Sequence, residues 1–382
     1  MRALPRKPAT LRPVTRQRIL VAMSGGVDSS VAAARLLAQG YDVVGVTLHL
    51  WDYPDDGSVK SRCCAPEDIH DARRVADALG FPHYAFDRRE LFQREVVAPF
   101  VDSYLDGETP SPCVRCNRGV KIKELMALAD KLDASRVATG HYARLNEQGG
   151  RTELHRGRDA GKDQSYFLHM LNQATLSRLC FPLGDADKAE VRAEALRLAL
   201  PGAQKGESQE LCFVPTGRYD SFVGERAAGR LRPGPIVDEN GRTVGQHAGV
   251  HRFTVGQRRN LGVALGKPSY VVAIDPEQGR IELGPVERLM AVAAELDDVS
   301  LAAGVELPLA AEVQVRYRGT PLPARIVRAG SGVRVLFDKP VQAVVPGQFA
   351  VFYAGSRVLG GGLIRKAEQV ELAATPALEQ RP

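Results

Sequence analysis

The first part of the chain alternates short, wholly apolar runs with longer segments whose apolar residues recur every three or four positions. Ile19-Leu20-Val21-Ala22-Met23 carries no charged or hydrogen-bonding side chain, which suits a strand covered on both faces. Val31 to Gln39 then predicts a helix, with Gly40 placed to stop it. Val43 to Leu50 predicts the next strand, and Asp68 to Leu79 an amphipathic helix entered after Pro66 and left at Gly80. His83 to Phe86 and Val137 to Thr139 predict further short strands, and helical spacing recurs at Glu90 to Leu105, Lys121 to Leu132 and Lys188 to Leu200. This alternation over residues 18–205 predicts an α/β domain with a Rossmann-like parallel sheet, covered on both faces. After Pro201-Gly202 the pattern changes. Residues 206–290 hold many glycines and turn pairs such as Asn240-Gly241, as expected of a small central domain. Residues 291–370 alternate β-rich runs, such as Val313 to Tyr317 and Ala350 to Tyr353, with Gly and Pro, predicting a C-terminal β-barrel. Residues 1–17 and 371–382 read as flexible tails.

Composition narrows this picture. With 382 residues, 44% hydrophobic and 25% charged, the chain suits a globular protein of two or three domains. No apolar run reaches bilayer length, so no membrane partner is expected. Met1 to Arg18 is rich in Arg and Pro and has no acidic residue. It lacks the apolar stretch of a secretory signal; it reads as a disordered tail, with an organelle transit segment as the alternative, and a cytoplasmic location is expected. A net charge of +6 permits a polyanionic partner without requiring one. Six cysteines without an export signal fit a reducing compartment and working thiols better than a disulfide scaffold.

Two segments carry candidate chemistry. Ser24-Gly25-Gly26-Val27-Asp28-Ser29-Ser30 follows a predicted strand and opens a predicted helix. Its glycines let backbone N–H groups approach an anion, the helix N-terminus adds partial positive charge, and Asp28 can cap the helix or help hold a metal. No Gly-Lys-Ser/Thr follows, so it is not a Walker A loop and lacks that motif's lysine. The second segment is Gly107 to Asn117, with Cys113-Val114-Arg115-Cys116 at its end. Its prolines predict an extended, stiff loop between two helices. Paired thiols suit redox chemistry, metal binding or thiol exchange, and Arg115, Arg118 and a helix beginning near Asn117 would favour a thiolate. Cys212 lies far along the chain. Zinc would need His141 or His169 to complete a ligand set. Cys63, Cys64 and Cys180 read as structural.

Together these residues resemble the tRNA-specific 2-thiouridylases (MnmA/TrmU), enzymes of the PP-loop ATP pyrophosphatase superfamily. The matching stretches run in order from Ala22–Ser30 through Cys63-Cys64 with Asp68–Val75, Thr109–Asn117, Thr139–Ala143 and Gly161–Leu168 to Ser208–Phe213 and Phe253–Arg259. The resemblance implies an adenine nucleotide alpha hydrolase-like fold and 2-thiolation of the wobble uridine, U34, of tRNA. ATP with Mg²⁺ would adenylate the C2 oxygen and sulfur would replace it, releasing AMP and pyrophosphate. It implies nucleotide contacts at Ala22, Met23, Ser24, Gly25, Gly26, Val27, Asp28, Ser29, Leu48 and Gly140. Cys116 matches the nucleophile and Cys212 the persulfide carrier. Ser111, Pro112 and Cys113 match the segment facing the target base, and His141, Lys162, Asp163, Gln164, Arg316, Tyr317 and Gln348 match tRNA contacts. The implied partners are tRNAs of the Lys, Glu and Gln type and a cysteine desulfurase, acting directly or through relay proteins. Some members carry aspartate at the position of Cys113, and their common Asn-Pro stands here as Ser111-Pro112. The alternative to a persulfide and a Cys116–Cys212 disulfide is a 4Fe–4S cluster on Cys113, Cys116 and Cys212. Two other function classes compete: a PP-loop synthetase acting on a small molecule, and a non-enzymatic RNA binder gripping phosphate through Arg316, Arg318 and Lys339, with Tyr317 or Phe352 as a stacking face.

Overall fold

The computed structural model describes residues 16–52, 66–206, 211–214, 218–227, 229–330 and 332–370. Cys63 and Cys64, Ser208 to Glu210, and all of the two expected tails but Arg16 and Gln17 lie outside them.

Strand β1 (Arg18–Ala22) sits at the centre of a five-stranded parallel sheet. On one side lie β2 (Asp42–His49) and β3 (His83–Asp87); on the other lie β4 (Arg136–Ala138) and the short strand Leu179–Cys180. The apolar run of β1 is explained by its two buried faces. Leu20 packs with Phe92, Phe100, Ile122 and Leu125 on one face, while Ile19 and Val21 pack with Leu36, Ala72 and Val75 on the other. The order reverses at β1, so the crevice beyond its C-terminal end is where open sheets of this kind hold ligands. Helices α1 (Val27–Ala38) and α2 (Pro66–Leu79) follow β1 and β2.

A four-stranded sheet formed by 234–237, 243–247, 270–275 and 280–284 has its own core around Ile236, Phe253, Val271 and Ile281. The last unit is a closed six-stranded barrel, sealed by pairing of Met290–Leu301 with Arg357–Gln369. Alternation is clear in Gly332–Gln342, where Val333, Val335 and Phe337 point inward. The hairpin formed by Ala143–Gln148 and Arg151–Arg156 meets the barrel at His155 and Arg357.

Three sequence expectations change. Pro112–Cys116 is helical, because Pro112 occupies the first helical turn, where its missing N–H costs nothing. It runs through a π turn, Asn117–Lys121, into the helix Ile122–Lys131. The strand expected at Val313 to Tyr317 ends at Gln314, and Arg316 and Tyr317 lie in a turn closed by Arg318 at φ +58°. Phe352 is fully buried in the barrel core and offers no stacking face.

Candidate active site

The crevice beyond β1 opens into a cavity of about 730 Å³. One end is lined by Ala22, Met23, Ser24, Gly26, Val27, Asp28 and Ser29, with Leu48 and Gly140 beside them. Gly25 shapes this loop in two ways. It takes φ +68°, and an added Cβ would stand 2.3 Å from the carbonyl oxygen of Asp68 in α2. Gly140 allows a second close approach, since a Cβ there would stand 3.0 Å from the Ser29 nitrogen. Within the loop, Ser29 Oγ accepts from the Ser24 N–H at 3.1 Å and donates to the Gly26 carbonyl at 3.1 Å. The turn is therefore held by its own hydroxyls, at the N-terminus of the twelve-residue helix α1.

The cations that the loop's sequence lacks come from elsewhere. Lys188 Nζ donates to both Asp28 carboxylate oxygens, at 2.6 and 2.7 Å, and Tyr142 Oη donates to Asp28 at 2.8 Å. Lys188 lies in the first turn of the helix Lys188–Arg197, and Arg192, one turn on, also lines the cavity. Lys205 pairs with Asp68 and, at 3.0 Å, with Asp71. Sequence reasoning gave no role to Lys188, Arg192 or Lys205, and it reached Tyr142 only as part of the matched stretch Thr139–Ala143. For Lys188 and Arg192 the available signal was their i,i+4 spacing on a predicted helix, which usually marks a solvated face.

The other end of the cavity is lined by Pro110, Ser111, Pro112, Cys113 and Lys121. The barrel braces this segment. The Thr109 N–H donates to the Pro346 carbonyl at 2.9 Å, and Gln348 Nε2 donates to the Thr109 carbonyl at 2.8 Å. Gly347 makes the approach close, because a Cβ on it would stand 2.9 Å from the Thr109 backbone. Leu211, Tyr317, Gln348, His141, Lys162 and Gln164 also line the cavity. Cys212 is positioned by its neighbour Phe213, which is 2% exposed and packs edge-on against Phe92, Phe100 and Trp51.

Not every expected contact faces this space. Arg316 is exposed and outside the cavity wall. The Asp163 carboxylate accepts from the Gly157 and Ser165 N–H groups and the Ser165 hydroxyl and pairs with Arg156, so its oxygens are committed to shaping the hairpin end. Gln164 accepts from the Tyr142 N–H at 3.0 Å, fixing the tyrosine that holds Asp28. Tyr317 packs its ring 4.3 Å from that of Phe167.

Burial pushes the Cys113 and Cys116 thiols up to about 11, against the lowering effect of the Lys121 ammonium. The expectation of a ready thiolate is therefore corrected: desolvation outweighs the nearby cation. Arg118, expected to help, pairs instead with Asp298 of the barrel at 2.6 Å. The π turn brings Lys121 to the thiols, and its backbone N–H donates to the Cys116 sulfur. Burial, with Lys121 adding to it, pulls His141 down to about 3, so its imidazole is neutral near pH 7. Among the described residues no three His, Cys, Asp or Glu side chains gather as ligands for one metal ion. The zinc alternative therefore gains no support from the arrangement of these side chains.

Three family models match the chain in succession. Residues 17–216 match the tRNA methyl transferase HUP domain, 220–285 the tRNA methyl transferase PRC-barrel domain, and 295–364 the aminomethyltransferase beta-barrel domain. The tRNA-specific 2-thiouridylase MnmA of Sorangium cellulosum is 61% identical over 368 residues, covering 95% of this chain and 96% of the relative. That of Geobacter metallireducens is 49% identical, covering 92% and 98%. That of Paramagnetospirillum magneticum is 48% identical, covering 92% and 96%. With likeness of this depth along nearly the whole of both chains, this chain belongs to the tRNA-specific 2-thiouridylase family.

Proposed function

We propose that the chain replaces the C2 oxygen of the wobble uridine of tRNA with sulfur, using ATP to turn that oxygen into a leaving group. The observation that carries this reading is the single cavity with a phosphate-binding turn at one end and a cavity-facing thiol at the other. The family descriptions speak of methyl transfer, but a PP-loop facing a Cys-x-x-Cys pair is equipment for adenylation followed by thiol chemistry. A small-molecule synthetase of the same loop class has no use for the thiols, and a bare RNA binder has no use for the loop.

The steps follow from charge and position. ATP phosphates lie on the Ser24–Ser29 turn, with the nucleoside beside Leu48 and Gly140. Lys188 and Arg192 stabilise the departing pyrophosphate, supplying the charge a Walker lysine would give. Mg²⁺ typically binds through one or two carboxylates plus substrate phosphates; Asp28 and Asp68 are the carboxylates in the cavity wall, each would exchange its lysine partner, Lys188 or Lys205, for the ion, and the ion would neutralise charge building on the pyrophosphate. The uridine oxygen attacks the α-phosphorus and pyrophosphate leaves. Ser111, Pro112 and Cys113 face the base, while His141, Lys162, Gln164, Tyr317 and Gln348, with Arg316 and Asp163 nearby, hold the anticodon arm. His141, neutral at pH 7, offers a hydrogen bond rather than a charge. Sulfur then arrives as a persulfide on Cys212, loaded by a cysteine desulfurase directly or through relay proteins, and displaces AMP, with Cys116 as a nucleophile of the thiol exchange that its release sets off. Residues 18–205 form the ATP pyrophosphatase domain, 206–290 the tRNA-contacting domain and 291–370 the barrel. The wobble-uridine tRNAs of the Lys, Glu and Gln type are the substrates, and the cytoplasm is the site of action.

The test is mass spectrometry of tRNA after incubation with the protein, ATP, Mg²⁺ and a desulfurase with cysteine. Replacement of one uridine oxygen by sulfur, dependent on ATP, is expected. Pyrophosphate release without that change would reject the reading.

A further inference from the structure

The three thiols near the cavity are not equivalent. Cys113 and Cys116 sit in one helical segment, three positions apart. Helix geometry places their Cα atoms about 5 Å from each other, inside the range a disulfide spans. Cys113 is half-buried and forms part of the cavity wall, whereas Cys116 is 5% exposed and packed in the core with Val114 and Val120. Cys212 follows Leu211, which is itself in the cavity wall. Beyond burial, the thiol of Cys113 responds to Cys212, and that of Cys116 responds to Lys121 and then to Cys113. Cys113 thus shares the cavity wall with Leu211, the residue before Cys212, and a helical turn with Cys116.

We propose that Cys113 is a third working thiol, which opens the Cys212 persulfide and is then resolved by Cys116, so that each thiolation ends on a Cys113–Cys116 disulfide. This rests on the reading that Cys212 carries the persulfide. In the first step the Cys113 thiolate attacks the inner sulfur of the persulfide. A Cys113–Cys212 bond forms, and the bond from Cys212 Sγ to the outer sulfur breaks. That outer sulfur keeps the electron pair and becomes the sulfur of the thiouridine, in place of the oxygen that leaves on AMP. In the second step the Cys116 thiolate attacks Cys113 Sγ, the Cys113–Cys116 bond forms, and the Cys212 thiolate departs. The outer sulfur gains two electrons, and Cys113 and Cys116 lose one each. Of the two thiol protons, one ends on Cys212 and the other passes to water. An external dithiol reduces the Cys113–Cys116 bridge before the next turnover. The arrangement sets a cavity-facing attacking thiol one helical turn from a buried resolving one, and it lets Cys212 be reloaded at once.

The test is a single turnover of the full chain, loaded with persulfide, with tRNA, ATP and Mg²⁺ but no added reductant. The reaction is quenched by alkylation and its peptides are mapped without reduction. Trypsin cuts after Arg115, so the two thiols of the pair fall on separate peptides. The expected product is a Cys113–Cys116 cross-link in proportion to the thiouridine formed. Cys116→Ser is expected to stop at a Cys113–Cys212 bridge, and Cys113→Ser to lose sulfur transfer while still releasing pyrophosphate. A Cys116–Cys212 bridge in the wild type, thiolation with no disulfide, or full sulfur transfer by Cys113→Ser would each overturn the relay. The wild-type map decides even if Cys116→Ser fails to fold. A wild type that makes no thiouridine at all overturns the family reaction for this chain, and the relay with it.

Discussion

Replacing Gly25 by alanine separates the two demands placed on the phosphate loop. Alanine at φ +68° pays the left-handed backbone cost, about 1–2 kcal/mol. Its methyl would also stand 2.3 Å from the Asp68 carbonyl oxygen and 2.8 Å from the Asp68 Cα. Neither atom can move alone. Asp68 is 2% exposed, sits in the first turn of α2 and is tied to Lys205. Overfilling a packed site of this kind costs about 1–3 kcal/mol. Together the effects amount to roughly 2–5 kcal/mol. Felt by the loop alone, they weaken ATP binding by about 30-fold or more. Gly26→Ala is the control. Gly26 sits at φ −93°, ψ 161°, and its added methyl would find only Ser24 Oγ, at 3.4 Å. Its structural cost is under about 1 kcal/mol, that of a poorer helix cap. Urea unfolding and ATP titration of both variants give the answer. A Gly25→Ala protein that unfolds and binds ATP like the wild type, or a Gly26→Ala protein equally destabilised, would refute the reasoning.

Lys188→Met removes the cation that spans both Asp28 oxygens; at about 1.5–3 kcal/mol for a charged hydrogen bond, pyrophosphate release should fall roughly 10- to 100-fold, measured at saturating ATP and tRNA. Gly347→Ala, at φ +90° and 2.9 Å from Thr109, should destabilise by at least about 1 kcal/mol and lower thiolation more than ATP binding, as read by parallel melting, ATP titration and thiouridine yield. Burial holds His141 near 3 and His169 near 4, below the unfolded value of 6.5. The unfolded state therefore binds more protons between those limits, and stability is full above about pH 6.5 and falls as pH drops toward 3–4. Urea titrations at pH 7.5 and 5 should show this loss, and His141→Asn should lessen it; equal stability at both pH values would count against it.

What the sequence made legible was whatever depends on local pattern. The two-sided burial of β1 is written in its unbroken apolar run, and the phosphate turn in its glycines and serines. The family motifs pointed to the residues lining the cavity from Ala22 to Gln348. What was hidden depends on distant packing. Lys188 and Asp28 are separated by most of the first domain, and nothing in either neighbourhood announces their pairing. Arg118 looked available to the thiols because the barrel's Asp298 lies so far along the chain. The prolines of 110–112 suggested an extended loop, since proline disfavours helix interiors; the same residue fits a first turn, and only the contacts of Val114 and Cys116 with the core decide between them. The thiol chemistry was misjudged for a related reason: a cation was predicted beside the cysteines, but the burial that outweighs it is a property of the folded state.

The central claim is that ATP is split in this cavity to place AMP on the very oxygen that sulfur replaces. A tRNA transcript with heavy oxygen at C2 of the wobble uridine tests it most directly. After a single turnover with ATP, Mg²⁺ and persulfide-loaded protein, the account predicts AMP carrying one heavy oxygen for every thiouridine formed. Thiouridine formed alongside AMP that carries only ordinary oxygen would contradict it.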